Sequence, residues 1–361
     1  MQPVPGDPHA PRRRTLRHGR PLRRPVAAFV AVFAVAVAAC GGGRSDESTS
    51  TASAARTTQT ASSALEAQYE RVVNKVSPQV VQIETDSGLG SGVVFDDRGD
   101  IVTNAHVVAG ANRFRVTAAD GKRFTASLVG SFAPGDLAVV RAHDAGLHAA
   151  TFGRSSELRV GDIVLAIGNP LGLQSSVTDG IVSALGRTVS EPGGNTLPNV
   201  IQTSAPINPG NSGGALVGLD GRVVGIPTLA ATDPELGGSA APGIGFAIPS
   251  DVVRDLAGQI IDHGRVVNSH RAYLGVRLAT TTGARGAVVA GIDRAGPADK
   301  AGIGPGDLIL AIDGKRVAGP EDVAAVLATL KPGEMVDVEV ALSGGGRKKM
   351  QVRLGSYPSG G

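Results

Sequence analysis

Gly210-Asn211-Ser212-Gly213-Gly214 reads as a nucleophile set in a tight glycine turn. A serine hydroxyl is weakly nucleophilic at neutral pH, so it works only beside a base and within reach of donors for the oxyanion it generates. Glycines on both sides let the backbone bend sharply, aim the amides of Gly210 and Ser212 at one point, and leave room for a substrate chain. Asn-Gly and Ser-Gly pairs are also ordinary punctuation in surface turns. The pentapeptide alone therefore does not decide the chemistry.

Two further stretches decide it. Thr103-Asn104-Ala105-His106-Val107-Val108 follows a strand-like run, Gly92-Val93-Val94-Phe95, and a turn, Asp96-Asp97-Arg98-Gly99-Asp100. His106 thus falls where a strand gives way to a short helical turn, with small and apolar neighbours that bury one side of its ring. Gly135-Asp136-Leu137-Ala138-Val139-Val140 places an aspartate at the head of another apolar run. Taken singly, such a histidine is more often packed or solvated, and such an aspartate is more often a turn residue. Together His106, Asp136 and Ser212 stand in the chain order of a chymotrypsin-type triad.

These motifs resemble the HtrA (Deg) family of serine proteases, whose histidine lies in TNAHVV, aspartate in DLAV and serine in GNSGG. The resemblance covers about residues 66 to 355. It implies a mainly β chain: a chymotrypsin-like double six-stranded β-barrel protease domain over 66–264, a linker over 265–272, and an α+β PDZ domain over 273–355. It implies a serine endopeptidase with Ser212 as nucleophile, His106 as general base and Asp136 as its orienter, with Gly210, Asn211 and Ser212 around the oxyanion. A homotrimer is also implied, with the segment around Tyr69 contributing. The chain departs from the family pattern at Ser204 and Pro206 upstream of the turn, at Ala215 after it, and at Pro227. Those positions bear on the oxyanion loop and the substrate-binding edge, and none is a catalytic group.

The runs around the motifs agree with barrels. Strand-like segments at 80–83, 90–95, 113–118, 123–130 and 137–141 form one set, and those at 163–167, 175–185, 200–203, 215–217, 222–227 and 244–249 a second. Many short strands between Gly-rich turns point to barrels or sandwiches. Before them, Leu65, Tyr69, Val72, Val73 and Val76 are spaced for an amphipathic helix. After them, Ser250 to Gly264 reads as a closing helix with Ser250 as N-cap and Gly264 as its stop.

Beyond the linker, Tyr273-Leu274-Gly275-Val276 resembles the carboxylate-binding loop of a PDZ domain, and the resemblance continues through residues 296–303 and 306–314. Successive free amides in a glycine-containing loop can hold a peptide's C-terminal carboxylate, while the adjacent strand edge accepts the peptide as an added strand. Residues 321–330 read as the flanking helix, with Val323, Val326 and Leu327 as groove wall or core.

The net charge of +3 belongs to the leader. Residues 1–39 hold seven arginines and one acidic residue, and without them 28 basic groups face 31 acidic ones. No basic surface interleaved with aromatics remains, so no nucleic-acid partner is expected. Arginines 12, 13, 14, 17, 20, 23 and 24 precede the 14-residue apolar run Val26 to Ala39. Such a run is short of the ~20 residues of a membrane span and fits a signal peptide. It ends at Cys40, the one cysteine, which resembles a lipobox cysteine and is expected to carry lipid; an unmodified thiol or an uncleaved anchor are the alternatives. Arg13-Arg14-Thr15-Leu16 leaves the general and twin-arginine export routes open. Residues 40–65, rich in Gly, Ser, Thr and Ala, are expected to tether the protease to the outer face of the membrane. One cysteine excludes an intrachain disulfide, and His143 and His148 lack a third ligand at metal spacing, so neither metal nor cofactor is expected.

The expected substrates are misfolded or unfolded envelope proteins, with peptide C-termini at the PDZ loop serving recruitment or regulation. A non-cleaving chaperone or adaptor is the alternative from another class. An esterase is disfavoured because the chain lacks the Gly-x-Ser-x-Gly elbow between a strand and a helix.

Overall fold

The computed structural model describes residues 49–143, 146–169, 176–190, 196–208, 210–233, 239–279 and 285–357. The signal segment, Cys40 with the start of its linker, and Pro209 lie outside the described residues. Met1–Ala55 and Arg56–Gly361 form separate compact units, and the architecture below is that of the second.

Helix α1 (Thr49–Val76) begins well before the stretch whose apolar spacing predicts a helix, and takes in residues expected to be tether. The stretch contains neither Gly nor Pro, and its alanines let the helix propagate. A low apolar content denies it a packing face without denying it a helical backbone. Its last turns reach the core through Val72 and Val76.

The first barrel comprises β1 (Val80–Thr85), β2 (Leu89–Val94), β3 (Asp100–Thr103), β4 (Phe114–Thr117), β5 (Arg123–Phe132) and β6 (Leu137–Ala142), closed in the order β1-β2-β3-β6-β5-β4. The short helix α2 (Ala105–Val108) leaves β3. Five of these strands match the strand-like runs. The sixth, β3, is only four residues long and starts on an aspartate that reads as turn. Asp100 is tolerated there because Arg141 on β6 grips it with two bonds of 2.7 and 2.8 Å, so the buried charge is paired.

The second barrel comprises β7 (Ile163–Gly168), β8 (Ser176–Ser190), β9 (Thr196–Thr203), β10 (Ala215–Gly218), β11 (Val223–Asp233) and β12 (Ser239–Pro249), closed as β10-β11-β12-β9-β8-β7. In both barrels the inner strands are apolar on both faces, and side-chain alternation sorts them. Ala138 and Val140 fill the first barrel while Leu137 and Val139 face outward. Val164 and Ala166 fill the second while Leu165 and Ile167 face outward. The outward sets meet in one shared core, where each fully buried aliphatic contributes about 1.5–3 kcal/mol. This core locks the barrels side by side and fixes the cleft between them.

Helix α3 (Ser250–His263) covers that core with Val253, Leu256, Ala257 and Ile260, and Gly264 ends it in the left-handed region at φ 72°. Ser250 is not the N-cap; Pro249 occupies that place. The Ser250 hydroxyl instead donates to the Gly153 carbonyl and accepts from the Ser155 amide, bonds that depend on tertiary contact and leave no local signature.

The C-terminal module has its own core. It begins with β13 (Ala272–Tyr273) and β14 (Val276–Ala279), followed by β15 (Ala287–Ile292), α4 (Pro297–Ala301), β16 (Leu308–Ile312) and β17 (Lys315–Arg316). Helix α5 (Pro320–Ala328), β18 (Met335–Ala341), β19 (Arg347–Arg353) and β20 (Gly355–Ser356) complete it. The sheet runs β14-β15-β16-β18-β19 with β17 beside β16, and β20 returns to pair with β13. Val323 and Val326 of α5 are core residues. Among the described residues no helix is long and apolar enough to cross a membrane.

Candidate active site

Asp136 sits at the end of a 3-10 turn (Ala133–Gly135) with φ 46°, a left-handed conformation costing an aspartate about 1 kcal/mol. Its surroundings over-determine it. Asn104 Nδ2 donates to its carbonyl at 3.1 Å, and the His106 amide donates to Oδ1 at 3.1 Å. The Thr228 hydroxyl donates to Oδ2. His106 Nδ1 lies 3.0 Å from both carboxylate oxygens. The carboxylate is almost sealed while the histidine side chain is 50% exposed, so one edge of the imidazole is held and the other reaches the cleft. A ring whose Nδ1 faces a carboxylate carries its proton there, leaving Nε2 as the basic nitrogen.

Ser212 approaches from the second barrel. Its turn passes through Gly210 at φ 114° and Gly213 at φ 78°, and a Cβ on Gly213 would stand 2.3 Å from the Ser91 carbonyl. Only glycine fits there. Gly213 N donates to the Pro227 carbonyl at 2.9 Å, pinning the turn to β11. The register of β11 shifts around Thr228, next to Pro227, whose missing N–H suits an irregular point in a ladder. That irregularity lets Thr228 serve both sides. Its hydroxyl binds Asp136, and its carbonyl accepts the Ser212 hydroxyl at 3.3 Å.

The oxyanion loop shows a division of labour. Among the described residues no hydrogen bond takes the amides of Gly210 and Ser212. Asn211, expected beside them around the oxyanion, is engaged within the loop. Its amide donates to the Asn208 carbonyl at 3.1 Å. Its buried side chain braces the loop, accepting from Asn208 N at 3.0 Å and donating to the Pro206 carbonyl at 3.1 Å. Ser204 and Pro206, the departures from the family pattern, are absorbed by the same mesh: Ser204 Oγ accepts from Ile181 N, and Thr178 Oγ1 donates to Pro206 O.

Sequence reasoning misses Ser91. This fully buried residue of β2 donates its hydroxyl to the Gly210 carbonyl at 2.5 Å and accepts from Asn169 N at 2.8 Å, while its amide donates to the Ser212 carbonyl at 3.1 Å. One side chain of the first barrel thus fastens the nucleophile turn of the second. The available signal is the pair of glycines around it, since a Cβ on Gly90 or Gly92 would stand 2.6 or 2.5 Å from Val107 or Ile101.

In the C-terminal module, Tyr273 ends β13, Val276 opens β14, and Leu274 and Gly275 lie between them. Leu274 is buried and its carbonyl accepts from Ala298 N, while the Gly275 carbonyl accepts from Asp293 N. Gly275 adopts φ 78°. The Tyr273 hydroxyl donates to the Asp293 carboxylate; burial, then that bond, pushes the phenol above its ordinary value. A groove of about 260 Å³ between β14 and α5 is lined by Gly275, Val276, Leu278, Val323 and Leu327. Val323 therefore belongs to both groove wall and core.

A family described as the trypsin-like peptidase domain matches residues 90–226, and one described as the PDZ domain matches 272–354. The serine protease PepD of Mycobacterium tuberculosis is 38% identical over 79% of this chain and 66% of its own length. A probable periplasmic serine endoprotease DegP-like of Halomonas elongata is 40% identical over 75% of this chain and 57% of its own. The chain thus spans somewhat under two thirds of the length of these curated relatives. Among solved structures, the HtrA-type protease AlgW with a decapeptide superposes with a TM-score of 0.57 at 35% identity, covering 80% of this chain and 99% of the other. The serine endoprotease from Yersinia pestis gives 0.56 at 34%, covering 80% and 98%.

Proposed function

The chain belongs to the HtrA family of serine proteases, and we propose that it is an endopeptidase whose His106, Asp136 and Ser212 cleave unfolded or misfolded proteins outside the cytoplasm. The observation that carries this reading is the His106–Asp136 pair, with Nδ1 held by a buried carboxylate and the ring half exposed, joined to Ser212 through Thr228, which bonds both Asp136 and Ser212.

In the resting arrangement the Ser212 hydroxyl rests on the Thr228 carbonyl. When a substrate strand occupies the cleft, that weak bond is exchanged for one to His106 Nε2, which removes the proton as Oγ attacks the scissile carbonyl. The imidazolium formed is stabilised by Asp136, whose other contacts keep it oriented. The Gly210 and Ser212 amides receive the oxyanion. His106 then passes its proton to the leaving amine, and water repeats the sequence on the acyl-enzyme. Asn211 acts in this scheme as a brace of the loop.

The periplasmic names of relatives support export of this chain. The apolar run before Cys40 supports lipid anchoring there, and mass spectrometry of the mature N-terminus tests it: a diacylglyceryl cysteine is expected, and residues preceding Cys40 would overturn it. The groove beside Tyr273–Val276 supports capture of peptide C-termini, as does the decapeptide in the AlgW structure. Trimer formation follows the family resemblance, with light scattering as its test. The protease reading itself is tested by fluorophosphonate labelling. Labelling at Ser212 together with casein cleavage that Ser212→Ala abolishes is the expected result, and an unlabelled, folded chain leaves the chaperone alternative.

A further inference from the structure

Arg271 lies just before β13, far in sequence from the triad. Its Nη1 donates to the Pro134 carbonyl, and its Nη2 to the Thr196 carbonyl at 2.7 Å. Pro134 is in the first-barrel turn that ends on Asp136, and Thr196 opens β9 of the second barrel. The guanidinium also lies 5.6 Å from the centre of the Tyr357 ring. Tyr357 packs edge-on against Phe132 of β5 at 6.4 Å and against Tyr273 at 5.1 Å, and its amide donates to the Arg271 carbonyl. Both Arg271 and Tyr357 line the groove that holds Val276 and Leu327.

We infer that Arg271 is a positioning residue for the triad: it acts through Pro134 to hold the turn that keeps Asp136 in its left-handed conformation. The inference rests on the protease reading above. The described partners of the guanidinium are two carbonyls and an aromatic face, an arrangement suited to its planar fork and poorly served by an ammonium. Burial pushes its pKa below the ordinary arginine value, in keeping with a charge placed for its geometry. A strained backbone persists only where its surroundings fix it. The bonds to the Asp136 side chain and carbonyl fix the residue itself, whereas Arg271 fixes the turn that delivers it. The contact also crosses from the peptide-groove module to the catalytic turn, so one side chain belongs to both.

The test uses the full chain with Arg271→Ala, Arg271→Gln and Arg271→Lys. Three readouts are taken: kcat and KM for a short chromogenic peptide, the rate of fluorophosphonate labelling, and the melting temperature. For folded variants, kcat and labelling rate are expected to fall about 10- to 100-fold, the scale on which small misplacements of catalytic groups act. KM should stay unchanged, and Arg271→Lys should recover only part of the loss. Unchanged kcat in any folded variant overturns the inference, as does a loss shared by kcat and KM that tracks melting temperature. If Arg271→Ala fails to fold, Arg271→Gln, which retains a donor, and Arg271→Lys carry the decision. Failure of the wild-type chain itself to label overturns the protease reading instead, so the two failures are distinguishable.

Discussion

The two halves of the catalytic cleft are built to different standards of rigidity. On the first-barrel side, Asp136 is sealed from solvent and receives donors from Asn104, His106 and Thr228, all local to the cleft. On the second-barrel side, the Ser212 hydroxyl makes one long bond to a carbonyl, while the backbone around it is tied down at Gly210, Asn211, Ser212 and Gly213. The acid–base half is thus finished before substrate arrives. The nucleophile half has a fixed frame and a movable hydroxyl. In this arrangement the proton-transfer geometry is settled in advance and one torsion waits for the substrate.

Substitutions can break this comparison at chosen points. Ser212→Ala sets the ceiling, with turnover of casein or a chromogenic peptide expected to fall by about 10⁶, as for other serine proteases. Asp136→Asn tests the finished half: the geometry survives but the wrong histidine tautomer is favoured, and kcat should fall about 10⁴-fold. Thr228→Val separates the halves, since it removes the hydroxyl on Asp136 and keeps the carbonyl under Ser212. Hydrogen bonds to charged groups are worth roughly 1.5–3 kcal/mol, so a fall in kcat/KM of about 10- to 100-fold is expected, with fluorophosphonate labelling slowed in parallel. Ser91→Ala does the reverse, loosening the nucleophile frame and leaving Asp136 intact. Loss of a neutral bond of about 1 kcal/mol predicts roughly a fivefold fall in kcat with a small drop in melting temperature. Equal losses for Thr228→Val and Ser91→Ala would show that the halves do not differ.

The stretches that place His106, Asp136 and Ser212 are legible because each carries a local signature: a strand end for His106, a turn before a strand for Asp136, glycines for Ser212. Five first-barrel strands are legible for the same reason. β3 is not, because four residues beginning on a charged one give too short a pattern, and its Asp100 is stabilised by Arg141 from 41 residues away. The support of the site is hidden for the same physical cause. Ser91 and Arg271 act through backbone carbonyls of distant elements, which leave no mark on the side chain that faces them, and Thr228 acts on the Asp136 carboxylate 92 residues away. Asn211 shows the complementary case: its place beside Ser212 suggests a donor to substrate, and its amide and side chain bond within the loop.

The Ser91 bridge bears on the order of events during folding. The Gly210–Ser212 turn is held by bonds within its own barrel and by Ser91 from a strand of the other, so its frame is complete only when the two barrels meet. A nascent chain is itself an unfolded polypeptide of the kind this enzyme is proposed to cut. Because the turn is fastened from both barrels, a copy of the chain reaches its full rate only once both barrels are in place, which delays its action on unfinished siblings.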